Sequence, residues 1–345
     1  MTNRPGPFVR RNLVRLLSVC LAALPTLHAA DSTIYMAILN SQLHQLNRSD
    51  NPLVGLFVSS DRGVTWEHRG WREYIRTFHA VEGADGTLWS ACGNGVMRST
   101  DAGRSWKITT GWEITEVLRI AVDPHMPQHV FAATAYGPIA STNGGESWSF
   151  RNNGLRRHFV ADICVDRSDG KHLLLASELG VFTSSDAGKR WLATTLRNAD
   201  IRTIVQDPRT AETFWAGTEE DGLWCSTDGG GTWHPLNTGL AHHTVYCIAP
   251  DPDAADLIFA GTHGGGVYRS TDHGSTWQQV IDGLGNLDVH SLVLLGGAHP
   301  VVFAGTLNGG LFESDDRGAH WKLNSQDGAQ VWGLSVGAGR KGKGK

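Results

Sequence analysis

The sequence predicts an all-β fold, a seven-bladed β-propeller with four antiparallel strands per blade, its ring closed by the C-terminal strand joining the N-terminal blade. Three observations lead there. The pattern Ser-x-Asp-x-Gly-x-x-Trp occurs seven times, each copy has the same place in a unit of four short strand-like runs, and the two ends of the chain supply the parts of one divided unit.

The seven copies end at Trp66, Trp106, Trp148, Trp191, Trp233, Trp277 and Trp321, spaced by 40, 42, 43, 42, 44 and 44 residues. A period near 42 with no helical pattern between copies is the mark of a propeller blade. Each box is preceded by an apolar run, a Gly-rich turn and a second run ending in the Ser, as in residues 257–270, and its Trp opens a third. A further run leads each unit, at 117–122, 160–165, 201–206, 245–250 and 289–294. Runs of this length, rich in β-branched residues and bounded by Gly, Pro and Asp, read as antiparallel strands. The unit at the N-terminus begins at its second strand, 33–39, and residues 331–336 form a leading strand with no unit after them. Pairing the two closes the ring and leaves no open sheet edge at the seam.

Within the box, Gly suits the left-handed backbone of a tight turn, Ser and Asp bond the free N–H groups of that turn, and Trp buries apolar area between blades. Asp61, Asp101, Asp186, Asp228, Asp272 and Asp316 are therefore read as turn residues and not as catalytic acids. Asn143 holds the equivalent place in the third copy, which a turn tolerates and acid chemistry does not.

Residues 1–30 read as a signal peptide. Arg4, Arg10, Arg11 and Arg15 stand without an acid ahead of an apolar stretch, 16–27, and then Ala29-Ala30. A stretch of about twelve residues broken by Pro25 is too short for a hydrocarbon core that needs ~20. The expected mature chain starts near Ala30 or Asp31, is periplasmic or secreted, and has no stable membrane span; Arg10-Arg11 leaves both the general and the twin-arginine export routes open. Of the 30 Lys+Arg, four leave with the leader, so 26 stand against 34 Asp+Glu and the formal charge becomes −8. That balance excludes phosphate-backbone binding as the main task, so no nucleic-acid partner is expected. The expected propeller occupies 31–337, followed by a basic Gly/Lys tail, 338–345, expected to be disordered. Cys92, Cys164, Cys225 and Cys247 lie in strand patterns without metal-ligand spacing and read as buried free thiols, with an unassigned disulfide left open by the oxidising compartment.

Ser-x-Asp-x-Gly-x-x-Trp resembles the Asp-box, or BNR, repeat of sialidases, of two-propeller xyloglucanases, of sortilin-type receptors and of photosystem II assembly and stability factors. The resemblance covers essentially the whole mature chain and implies the propeller; those families differ in activity, so it leaves function open. In the enzymes among them the active centre lies on the face opposite the Asp boxes. That face should carry Trp71, Arg72, Tyr74, Trp112, Glu113, Arg156, Arg157, His158, Glu219, Glu220, Asp221, His242, His243 and His263, with a long loop, 40–55, holding His44, Arg48 and Asp50.

Aligned on their leading Val or Ile, the first strands place Arg76, Leu118, Ala161, Arg202, Tyr246, His290 and Trp332 in register. These should meet near the mouth of the central channel. Arg76, Arg202, Tyr246, His290 and Trp332, with Arg157 and His242 on nearby loops, are the candidate binding residues; two arginines among aromatics suit an anionic group or an acidic loop of a partner. The alternative for the same side chains is blade-to-blade packing. Sialidase chemistry would require an arginine triad, a tyrosine–glutamate couple and an Arg-Ile-Pro motif, and the tripeptide is missing. Xyloglucanases of this type form their cleft between two propellers, and one is predicted here. No metal site, Gly-x-Ser-x-Gly or phosphate loop occurs, so no cofactor is expected. The sequence therefore points to a non-catalytic exported propeller that binds a protein partner or ligand, with an assembly or stability scaffold as one form of that role; the alternative is a divergent glycoside hydrolase acting on carbohydrate.

Overall fold

The computed structural model describes residues 32–41, 54–71 and 75–337. Among them are 28 strands in seven four-stranded antiparallel sheets, and no helix. The inner strands are Thr77–Glu82, Val117–Val122, Val160–Val165, Ile201–Gln206, Val245–Pro250 and Val289–Leu295 for blades 2 to 7, and Ala329–Val336 for blade 1. They touch one another in sequence around the full circle. The expected signal peptide and tail and most of the 40–55 loop, with His44, Arg48 and Asp50, lie outside the described residues, as do Arg72 and Tyr74.

Ring closure follows the expected register. Ile34–Ser41 pairs with Gly55–Ser59 on one side and Ala329–Val336 on the other, so blade 1 takes its inner strand from the C-terminus. At this seam the backbone of blade 2 presses on blade 1: a Cβ added to Gly333 would lie 2.3 Å from the carbonyl oxygen of Phe78, so only glycine fits.

The second strand of each blade is covered on both faces, because each blade is packed between two others. Leu88–Cys92, Val130–Thr134, Leu173–Ser177, Phe214–Thr218 and Ile258–Thr262 are buried at every residue, which is why they read as unbroken apolar runs. Outer strands are short and exposed, only two residues in five blades, which blunts the sheet edges. Cys92, Cys225 and Cys247 are buried free thiols and Cys164 is half-buried. Burial pushes Cys92 up to about 11 and the other three up to about 12, leaving all four as inert thiols.

The seven boxes have one geometry. The Ser hydroxyl accepts the N–H of the box Gly at 2.7–3.0 Å and donates to the Asp carboxylate, which accepts the N–H four residues on; in the fifth box Ser226 holds Gly230 and Asp228 holds Thr232. Asn143 makes the same bonds, its Oδ1 accepting from Ser147 N and its Nδ2 donating to Ser147 Oγ. These contacts hold an unfavourable turn. The residue before the Gly is left-handed at Arg62, Ala102, Ala187, His273 and Arg317, with φ of 58–60°. The hydrogen bonds hold Asp101 and Asp228 at about 2, chiefly through the Ser105 hydroxyl and the Thr232 N–H respectively.

The box Trp then reaches the neighbouring blade. Nε1 of Trp106, Trp191, Trp277 and Trp321 donates to the carbonyl oxygens of Arg69, Arg151, Leu236 and Val280, each three residues past the previous box Trp. Trp148 uses the Thr109 hydroxyl and Trp66 the Asn324 side chain at the same place, the latter across the seam. Trp233 differs, bonding Gly230 in its own turn.

Truncation after Gln330 removes the inner strand of blade 1 and exposes two strand edges. It is expected to cost several kcal/mol of a total of ~5–15 kcal/mol and to cause aggregation; unchanged melting and solubility would refute this register. A second expectation concerns the box. Asp228→Asn should shift the melting temperature at neutral pH by no more than about 2 °C, because Asn143 shows that the amide serves, whereas Asp228→Ala should cost about 1 kcal/mol. A carboxylate held low contributes stability above its ordinary range that is lost as pH falls toward 2, so the Asn variant should also lose less between pH 4 and 2 than the parent. Thermal melts over that range measure both effects.

Candidate functional site

The inner strand of every blade carries one extra residue. Pairing skips from Thr77 to His79, Val117 to Arg119, Val160 to Asp162, Ile201 to Thr203, Val245 to Cys247, Val289 to Ser291 and, in blade 1, Val331 to Gly333. A bulge takes the extra side chain out of the ladder and re-aims it. The seven residues so placed are Phe78, Leu118, Ala161, Arg202, Tyr246, His290 and Trp332, all half-buried. All but Phe78 line one cavity of about 310 Å³ at the channel mouth, on the face opposite the Asp boxes.

Six of these seven match the positions aligned from sequence, and Arg76 is corrected. Pairing in blade 2 begins at Thr77 opposite Cys92, so Phe78 takes the bulge and Arg76 lies exposed ahead of the strand. The Ile75-Arg76 pair imitates the apolar start seen elsewhere, while Thr77, β-branched like Val and Ile, is the true leader.

Three of the ring residues stack. Tyr246 and His290 have centroids 4.4 Å apart at 24°, and His290 and Trp332 4.5 Å apart at 34°. His263 packs on Tyr246 at one end, at 6.0 Å, and Phe78 meets Trp332 edge-on at the other, at 6.1 Å. Burial brings His290 down to about 4, with His263 adding to the effect and Asp288 opposing it, so the ring is neutral at neutral pH.

Two arginines stand beside this stack, both in ion pairs. Arg202 Nε donates to Glu219 and its Nη2 lies 3.4 Å from Asp200. Burial raises the Asp200 carboxyl, Arg202 countering it, and Asp200 Oδ1 is buried without a partner. Arg119 Nε donates to Asp162 Oδ1 at 3.1 Å. Asp162 is buried and accepts three further bonds, from Ile163 N, Thr203 Oγ1 and Ile204 N, tying blades 3, 4 and 5 together. The sequence reading missed Arg119 and Asp162. Their signal is a basic and an acidic residue at the same register, two past the leading Val, in adjacent blades.

The remaining candidates stay off the cavity. Arg157 is exposed, its guanidinium 3.5 Å from Glu178. His242 accepts or donates to the Tyr268 hydroxyl at 2.7 Å and lies over Gly265, where a Cβ would come within 2.5 Å of its ring, so it braces blade 6. Trp112, Glu113, Arg156, His158, Glu220, Asp221 and His243 form an exposed rim. No group of three His, Cys, Asp or Glu suited to a metal ion occurs among the described residues, and no helix there is long and apolar enough to cross a membrane.

Family models of the BNR-Asp box repeat match residues 56–68, and of the BNR/Asp-box repeat residues 224–235. No curated protein matches the sequence. Among solved structures, the chain is similar to an ancestral GH74 enzyme, with 23% identity and a TM-score of 0.61 over 73% of this chain and 39% of that one. It is also similar to the extracellular domain of the one-component system BT4673 from B. thetaiotaomicron, at 16% and 0.62 over 81% of this chain and 38% of that one. A third likeness is to YCF48 bound to D1 peptide, at 17% and 0.55 over 71% of this chain and 81% of that one. The chain thus spans about two fifths of the GH74 and BT4673 proteins. At these identities the shared property is the fold alone.

Two buried imidazoles, one of them in the stack, make the fold acid-sensitive above the range of its carboxylates. His290 and buried His79 are held neutral, so each takes up a proton more readily once unfolded; the contribution of His290 is full above about pH 6.5 and is lost as pH falls toward 4. Lowering pH from 7.5 to 5 should cost about 2 kcal/mol through His290 alone, and His290→Phe should recover about that much. Urea titration at the two pH values measures it, and equal losses in parent and variant would contradict the assignment.

Proposed function

We propose that this chain is a non-catalytic exported propeller that holds a protein partner or ligand at the channel mouth opposite its Asp boxes, as an assembly or stability scaffold. The observation that carries this reading is the state of the mouth's acids. Asp162, Asp200 and Glu219 are each bound to an arginine beside a stacked aromatic wall, instead of facing one another across a cleft as glycoside hydrolysis requires. A propeller of the same fold that binds a peptide, YCF48, supports a protein partner. A periplasmic or secreted location is supported by the charge and apolar order of residues 1–30 and by the extracellular setting of the BT4673 domain.

The competing reading, a divergent glycoside hydrolase, has the GH74 likeness and one residue in its favour. Asp200 is raised by burial and has a free oxygen, as a general acid would. Against it, Glu219, the nearest second carboxylate, shares Arg202 with Asp200.

The test pairs a capture assay with a glycan-hydrolysis screen on the mature protein. Parent and Arg76→Ala should capture the same component of the envelope fraction, the combined Arg202→Gln and Trp332→Ala variant should lose it, and no glycan should be cleaved. Hydrolysis that falls by about 100-fold or more on Asp200→Asn or Glu219→Gln, with capture indifferent to the mouth changes, would install the hydrolase instead.

A further inference from the structure

The residues that line the cavity hold more unused donors than unused acceptors; the unpaired carboxylate oxygens of Asp200 and Glu219 lie outside that lining. Arg119 makes its one protein hydrogen bond through Nε, so both terminal nitrogens of its planar fork are unused. Asp162 cannot occupy them, since its two oxygens already take four donors. One terminal nitrogen of Arg202 is likewise unused. Among the described residues the Tyr246 hydroxyl and the Trp332 indole N–H have no protein partner, although both residues line the cavity. A ligand matching this wall brings oxygen acceptors.

The aromatic stack narrows the choice further. The central imidazole is covered on both faces by Tyr246 and Trp332, and the ends of the run are closed by His263 and Phe78. Faces already in contact with other rings do not serve as a platform for a sugar or as a cage for a cation. What such a wall leaves to the cavity is ring edges, the positive part of the aromatic quadrupole, which favour an anion. Across from it, Leu118 and Ala161 are the small apolar members of the ring, each adjacent in sequence to one partner of the Arg119–Asp162 pair. The cavity of about 310 Å³ is at the lower end for small-ligand sites and takes a fragment, not a polymer. Asp200 and Glu219 together outweigh the single charge of Arg202, so the far side opposes a second negative group.

We infer that the mouth binds one carboxylate attached to a compact apolar group, the carboxylate bridging the terminal nitrogens of Arg119 and the apolar group lying against Leu118 and Ala161. This deepens the binding reading above and rests on it for location. A free apolar carboxylic acid and the C-terminus of a peptide ending in an apolar residue share this chemistry.

Isothermal titration of the mature protein separates them. The probes are 4-methylpentanoate, its amide, and a hexapeptide ending in leucine with a free or an amidated terminus. At least one free acid should bind about tenfold or more tighter than its own amide. Arg119→Lys, which keeps the charge beside Asp162 and loses the fork, should remove that difference, and Ala161→Phe should fill the cavity and abolish binding with the melting transition retained. Preference for the peptide acid identifies a chain terminus as the source; equal binding of both acids identifies the free small acid. Equal affinity for acids and amides, no binding of either acid, or an Arg119→Lys protein that binds like the parent would overturn the inference. If the acids fail while mouth variants still abolish partner capture, the inference falls and the scaffold reading stands. If the acids bind while Ala161→Phe leaves capture intact, the scaffold reading falls and the carboxylate site stands.

Discussion

The packing of each blade's box tryptophan on the preceding blade, fixed in six of the seven blades by a hydrogen bond from its indole N–H, is the interaction on which the ring depends. A four-stranded blade buries both faces of its second strand only if it has neighbours on both sides, so no blade is stable alone. Indole area supplies the adhesion, and the Nε1 bond to a fixed place three residues past the previous Trp sets the angle and distance at which the next blade docks. The rest of the box exists to deliver that indole. A turn with a left-handed residue ahead of its Gly is an expensive conformation, stabilised here by the Ser and Asp bonds to the turn's own N–H groups.

The opposite end of the blade is freed by the same regularity. Because packing and turn chemistry are concentrated at the box and the second strand, the bulged residue of the inner strand meets no repeat-wide requirement. It is Phe, Leu, Ala, Arg, Tyr, His or Trp according to the blade. Small residues in blades 3 and 4 and large aromatics in blades 6, 7 and 1 leave an off-centre cavity in an otherwise symmetric ring. Asp162 joins the two roles, since it fixes Arg119 at the mouth while stitching three inner strands together. The binding proposed at the mouth therefore rests on a rigid support, not on a loop.

How much of this was legible in the sequence differs between the two ends. The box repeats, the divided first blade and the turn-bracing role of the box acids could be read because each follows from a local turn requirement or a period. Six ring residues could be read because they share a register with a leading Val or Ile; Phe78 could not, since Thr77 hides the start of its strand behind Ile75. Arg119 and Asp162 escaped because their meaning lies between blades, where two residues 43 apart meet only once the ring has closed. His242 was read as a binding residue on its loop position, and only its contact with the buried Tyr268 hydroxyl reveals a brace.

The proposed binding surface is the bulge ring and not the boxes or the exposed rim. Fluorine NMR on the protein labelled with fluorotryptophan reads this directly, since the box tryptophans mark every blade and Trp332 marks the mouth. On titration with the captured partner, the resonance assigned to Trp332 through Trp332→Phe should shift while those of Trp106, Trp191 and Trp277 stay in place. A shift at exposed Trp112 or at a box tryptophan, with Trp332 unmoved, would contradict it.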